Sequence, residues 1–93
     1  MRKAVYKVKW TDPALDDLAH IRAEIKALNP HAAKNVAAAL KKAAASLNRM
    51  PARHPLWIDE TYRFVVPEYP SYSLIYEITD RVSILTVWKN WIP

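Results

Sequence analysis

Apolar residues in this chain change their spacing twice, and that change constrains the fold more than any other feature. From residue 4 to residue 10 they alternate, with Ala4, Tyr6, Val8 and Trp10 on one side and Val5, Lys7 and Lys9 on the other. This is the period of a half-buried strand. From Ala14 onward the steps become three and four: first Ala14, Leu18, Ile21, Ile25 and Leu28, then Ala33, Val36, Leu40, Ala43, Leu47 and Met50. Each set is the apolar stripe of an amphipathic helix. From Tyr62 the period returns to two, in segments rich in aromatic and β-branched residues.

The punctuation between these segments agrees with the periods. Thr11 or Asp12 can cap the first helix, and Pro13 suits its first turn, where its missing N–H would have no partner anyway. Asn29-Pro30 breaks the pattern and restarts it, the asparagine as cap and the proline as first helical position of a second helix. Pro51 and Pro55 end that helix, and residues 51–61 read as a loop. Strands are expected over 62–66, 71–78 and 82–88. Pro67-Glu68-Tyr69-Pro70 forms one turn, and Thr79-Asp80-Arg81 a glycine-free hairpin loop in which Asp80 is the candidate for a left-handed backbone. Residues 89–93 read as an extended tail. The order β-α-α-β-β-β predicts an α+β fold, with a helical hairpin packed on one face of a four-stranded antiparallel sheet.

Ninety-three residues, 52% of them apolar, suit a single domain spanning 1–93. The absence of cysteine excludes disulfides, thiolate catalysis and Cys-ligated zinc, and fits the cytoplasm. No apolar run is long enough to cross a membrane. The net charge of +5 is unevenly placed. Between Ile25 and Ile58 there is no carboxylate, while Lys26, Lys34, Lys41, Lys42, Arg49 and Arg53 all fall there. The resulting positive field would attract acidic protein or nucleic acid.

Chemistry-bearing clusters are few. Asp16, His20 and Glu24 recur on one face of the first helix, but no further His or Cys stands at ligand spacing, so no metal is expected. A chain without glycine has no Gly-rich phosphate loop, the serines lack a neighbouring His, and no cofactor is expected. Arg53, His54, Arg63 and Lys89 form the one cluster that could converge, because Arg63 and Lys89 lie in one sheet. Such a group could bind phosphate, with His54 acting as acid or base on RNA. Arg81 lies at the far end of the last strand, away from it. Trp57, Trp88 and Trp91 could stack on bases or anchor a protein interface, and Trp91, in the tail, is the one least expected in the core.

Segments along nearly the whole chain resemble the RelE/ParE toxins of bacterial toxin–antitoxin modules. Val8 to Ile21 is similar to the family's opening of a strand, Ala14, Asp17-Leu18 and Ile21. Leu47 and Pro51 resemble its helix end, Arg63 its strand-two arginine, Tyr72 to Ile78 its aromatic strand and Val82 to Val87 its last strand. The resemblance implies a sheet of order 1-4-3-2, with both helices on one face, and a cognate antitoxin whose C-terminal segment wraps the toxin; it is expected to cover the helical hairpin and an exposed strand edge, with Leu15, Arg22 and Lys41 as its contacts. RelE-type toxins are ribosome-dependent mRNA interferases, and Arg53, His54, Arg63 and Lys89 are the residues that could serve such a centre here. The family's customary His-x-x-Arg close is replaced by Trp88-Lys89-Asn90-Trp91. That departure favours the ParE branch, whose members inhibit DNA gyrase by binding and serve plasmid stabilisation. Arg63, Lys89 and Trp91 are then the expected target-facing residues. A third reading is a non-catalytic interaction protein, a helical-hairpin adaptor or a decayed toxin that only binds an antitoxin.

Overall fold

The computed structural model describes residues 5–90. The chain runs β1 (Val8–Trp10), α1 (Asp12–Leu28), α2 (Pro30–Ala45), two short 3-10 turns (Ser46–Asn48 and Pro51–Arg53), β2 (Tyr62–Val65), β3 (Tyr72–Ile78) and β4 (Val82–Lys89). The four strands form one sheet in the order β1-β4-β3-β2.

The expected order of elements is the observed one, but the sheet is mixed. β2, β3 and β4 form an antiparallel meander, whereas β1 runs parallel to β4, pairing Val8 with Val82 and Trp10 with Ile84. Tight turns force sequence neighbours in the meander to alternate direction. β1 and β4 are joined through all the intervening chain and escape that constraint.

Both helices pack on one face of the sheet. Ala14 and Leu18 of α1, then Ala33, Val36, Ala37, Leu40, Ala43 and Ala44 of α2, are buried with Phe64, Leu74, Tyr76, Val82, Ile84 and Val87. The small alanines let the helix axes approach closely. Asn29 caps α2 as expected, its Oδ1 accepting from the amides of His31 and Ala32 at 3.1 Å each. Thr11 occupies the cap position of α1, but its hydroxyl donates instead to the Ile84 carbonyl at 2.7 Å.

Two ends of the apolar stripes depart from expectation. Leu28 is 91% exposed, because the tip of the helical hairpin, Leu28 to His31, lies at the surface of an elongated molecule of 48 × 27 × 22 Å. Met50 is 75% exposed and left-handed, with φ 46°. Pro51 after it disfavours the α region, so the helix has already unwound through the 3-10 turn at Ser46–Asn48.

Among the described residues of this glycine-free chain, positive φ falls at Met50, Asp59 and Glu60, and Asp80 is not among them. At the β3–β4 turn the Thr79 amide donates to the Arg81 carbonyl at 2.9 Å, and the Asp80 carboxylate accepts from the Thr79 hydroxyl at 3.1 Å. The expected loop 51–61 instead ends in a tight hairpin. Consecutive positive φ values at Asp59 (48°) and Glu60 (62°) build a two-residue turn closed by the Thr61 amide on the Ile58 carbonyl, 3.0 Å. Leu56 then bridges to Tyr62, and the Arg63 amide reaches the Pro55 carbonyl, so the chain covers part of the outer edge of β2 itself. Asparagine and glycine occupy such turns without strain. Replacing Asp59-Glu60 by Asn-Gly is expected to raise the unfolding free energy by about 1 kcal/mol in a denaturant titration.

Candidate functional site

The strand register divides the side chains of the sheet into two faces. Leu74 and Tyr76 of β3 join the core under the helices, and Ser73 and Ile75 therefore lie on the opposite, helix-free face. Pairing brings Arg63 and Val65 of β2 and Trp88 of β4 onto that same open face, Arg63 opposite Ile75 and Trp88 opposite Ser73. The hairpin before β2 adds Trp57.

Arg63 is the centre of this group. Its Nε donates to Ser73 Oγ at 3.2 Å and its Nη2 to Asn90 Oδ1 at 2.6 Å. The guanidinium also lies 4.6 Å from the ring centroid of Trp57, a cation–π contact. Asn90 is tied down in turn, its backbone amide on the Ser71 carbonyl at 2.7 Å and its Nδ2 on the Pro70 carbonyl and Ser73 Oγ, both at 2.9 Å. Ser73, polar and fully buried on a face without helices, is thus satisfied by side chains from β2 and from the end of β4. Trp57 and Trp88 stand beside the network with centroids 6.4 Å apart and planes tilted by 55°.

Arg53 and His54 do not join Arg63. Arg53 folds back over the end of α2, its Nη1 donating to the carbonyls of Arg49 (2.5 Å) and Met50 (3.2 Å) and its Nη2 reaching Ser46. It satisfies carbonyls of the segment that follows α2 and, at Ser46, of the helix end itself. The His54 ring stacks on Phe64 at 4.0 Å and meets Tyr76 edge-on at 6.5 Å, both core residues on the helix side of the sheet. Among the described residues, His54 Nε2 is the buried side-chain nitrogen or oxygen without a hydrogen-bond partner. Burial, reinforced by the charge of Arg53, holds the His54 pKa below its ordinary value. Burial likewise pushes the Tyr76 hydroxyl up to about 12, and it stays protonated as a donor to the Pro51 carbonyl.

The folded-state pKa of His54 lies below that of the unfolded chain, so on acidification the unfolded chain takes up the proton first. The contribution of the neutral ring is whole above pH 6.5 and is lost as the pH falls from there through the folded value. The thermal midpoint is therefore expected to drop between pH 7 and pH 5, and His54→Phe should flatten that slope.

Lys89 pairs with Tyr72, on the face of Leu74 and Val87, so it and Arg63 point to opposite sides of the sheet. Trp91 lies outside the described residues. Leu15 and Arg22 on α1 and Lys41 on α2 are all exposed. His20 Nδ1 bonds back to the Asp16 carbonyl at 2.8 Å, and no group of three His, Asp or Glu among the described residues is placed to hold a metal ion. No helix in the described residues is long and apolar enough to cross a membrane. The sequence reading missed Ser73 and Asn90. Their role depends on strand register, although Asn90 stood in the altered close Trp88-Lys89-Asn90-Trp91.

Solved structures with this architecture exist. The chromosomal ParDE toxin–antitoxin system from P. aeruginosa contains a chain that superposes with a TM-score of 0.85 at 16% identity, over 96% of this chain and 100% of that one. The toxin–antitoxin complex RelBE2 from Mycobacterium tuberculosis contains one with a TM-score of 0.66 at 26% identity, over 96% of this chain and 95% of that one. No curated protein matches the sequence. The model of the family described as the ParE toxin of the type II toxin–antitoxin system, parDE, matches residues 8–90, which hold β1 to β4, α1 and α2. The chain therefore belongs to the ParE toxin family of type II toxin–antitoxin systems.

Proposed function

We propose that this toxin arrests growth by binding DNA gyrase in the cytoplasm through the open sheet face around Arg63, as part of a module that serves plasmid stabilisation. A cognate antitoxin holds it inactive by covering the helical hairpin. The observation that carries this reading is the separation of the cleavage candidates. Arg63 faces the open side, Lys89 the other, Arg53 is spent on the carbonyls of Arg49 and Met50, and His54 is stacked between core rings. General acid–base cleavage of RNA needs such groups within reach of one phosphate. Binding needs only a surface, and Trp57, Arg63 and Trp88 supply one.

The antitoxin reading draws on the toxin–antitoxin complexes that share this fold, and on Leu15, Arg22 and Lys41, which are exposed on the hairpin. An acidic, amphipathic partner segment would bury Leu15 and offset the acid-free positive stretch of α2. The purified toxin is expected to inhibit gyrase supercoiling and to leave ribosome-bound mRNA intact in a primer-extension assay. Cleavage of that mRNA, abolished by Arg63→Ala, would replace this reading with an endoribonuclease.

A further inference from the structure

Arg63 is oriented by three partners, and little of it is left to offer a fourth. Its Nε and Nη2 are bonded to Ser73 and Asn90, and one face of the guanidinium is covered by the Trp57 ring. The side chain spans from β2 to the end of β4 and braces the hairpin from above. Trp57 and Trp88 are the reverse case. They are 38% and 48% exposed, adjacent, and tilted by 55° to each other, so that together they form an exposed aromatic wedge. Tryptophan in a small monomer is ordinarily much more buried, and paired exposed aromatics mark the energetic centre of a protein interface.

We propose that Arg63 is a positioning residue, which sets the Trp57–Trp88 wedge through its stack on Trp57 and its bonds to Asn90 and Ser73, and that the two tryptophans are what touches the target. This rests on the reading of the open face as the target-binding surface. The occupant is the target protein itself, presenting an apolar side chain to the wedge. The cation beneath Trp57 favours an acidic neighbour in the bound segment.

The test combines Trp57→Ala, Arg63→Ala, the double variant and Asn90→Ala, with two readouts. One is the inducer dose that half-arrests growth, which does not depend on the target's identity. The other is the indole N–H resonances of Trp57 and Trp88 in the purified toxin. If Arg63 acts through the wedge, Trp57→Ala and Arg63→Ala each weaken potency on the order of 30-fold, the loss expected for an interface anchor. The double variant is then no weaker than either. Arg63→Ala and Asn90→Ala shift both indole resonances, and Trp57→Phe, which keeps a ring for the guanidinium, restores most of the potency. Multiplicative losses in the double variant, or indole resonances that Arg63→Ala leaves in place, overturn the proposal. Should Arg63→Ala fail to fold, Arg63→Lys takes its place in the same cycle. Growth arrest that follows this pattern while gyrase is unaffected refutes the gyrase reading and supports the wedge. A wild-type toxin that arrests nothing refutes the contact role of the tryptophans.

Discussion

Leu18→Asp is expected to leave the domain unfolded, while Leu15→Asp, one turn earlier on the same helix, folds normally. Leu18 is 7% exposed and Leu15 47%. The first substitution removes a core side chain, which costs about 2–5 kcal/mol. It also buries a carboxylate within the apolar core cluster with no partner, at a further cost of several kcal/mol. A domain of this size is stable by only about 5–15 kcal/mol. Far-ultraviolet circular dichroism of both variants checks the contrast. Under the antitoxin assignment above, Leu15→Asp also weakens capture by the cognate antitoxin, so its folded product separates the two roles of α1.

Asp17→Ala should produce the largest loss among polar substitutions. β1 ends at Trp10, and among the described residues no strand lies beside the outer side of β4 beyond Ile84. There the Asp17 carboxylate of α1 takes over, accepting from the Val87 amide at 3.0 Å and from the Thr86 hydroxyl. The register between β3 and β4 slips at the same place, since Ile75 pairs with Thr86 and Tyr76 with Ile84, and Leu85 is left over as a bulge. Thr11 satisfies the neighbouring carbonyl of Ile84. Without the carboxylate two partly buried donors lose their acceptor, at a cost of about 2–4 kcal/mol. That corresponds to a fall in Tm of roughly 10–20 °C. Asp17→Asn keeps one acceptor oxygen and should lose about half as much, as a thermal melt will show.

These two positions also explain why the opening of the chain resembles its family. Ala14 is fully buried where α1 approaches the sheet, Asp17 caps the edge of β4, Leu18 enters the core, and Ile21 packs against it. Spacing alone shows that Ala14, Leu18 and Ile21 share a helix face. It does not show that Asp17, beside them, ends a strand some seventy residues away.

The same division holds for the candidate site. Periodicity and proline placement, read from the sequence alone, determined the number, kind and order of the elements, because amphipathic spacing and capping are local and a residue's neighbours along the chain suffice to express them. Arg63 was singled out because it shares a sheet with other basic residues and matches the family's strand-two arginine, and Leu15, Arg22 and Lys41, exposed on the helices, were named from the family resemblance alone. Tertiary structure alone decided that β1 lies parallel to β4 and that Arg63 and Lys89 face apart. It also decided that His54 stacks on Phe64, and that Ser73 and Asn90 close a network with Arg63 and Trp57. Each of these depends on strand register, and a shift of one residue moves every side chain of a strand to the other face. Register is set by packing between distant segments, so it belongs to the folded molecule and to no stretch of its sequence.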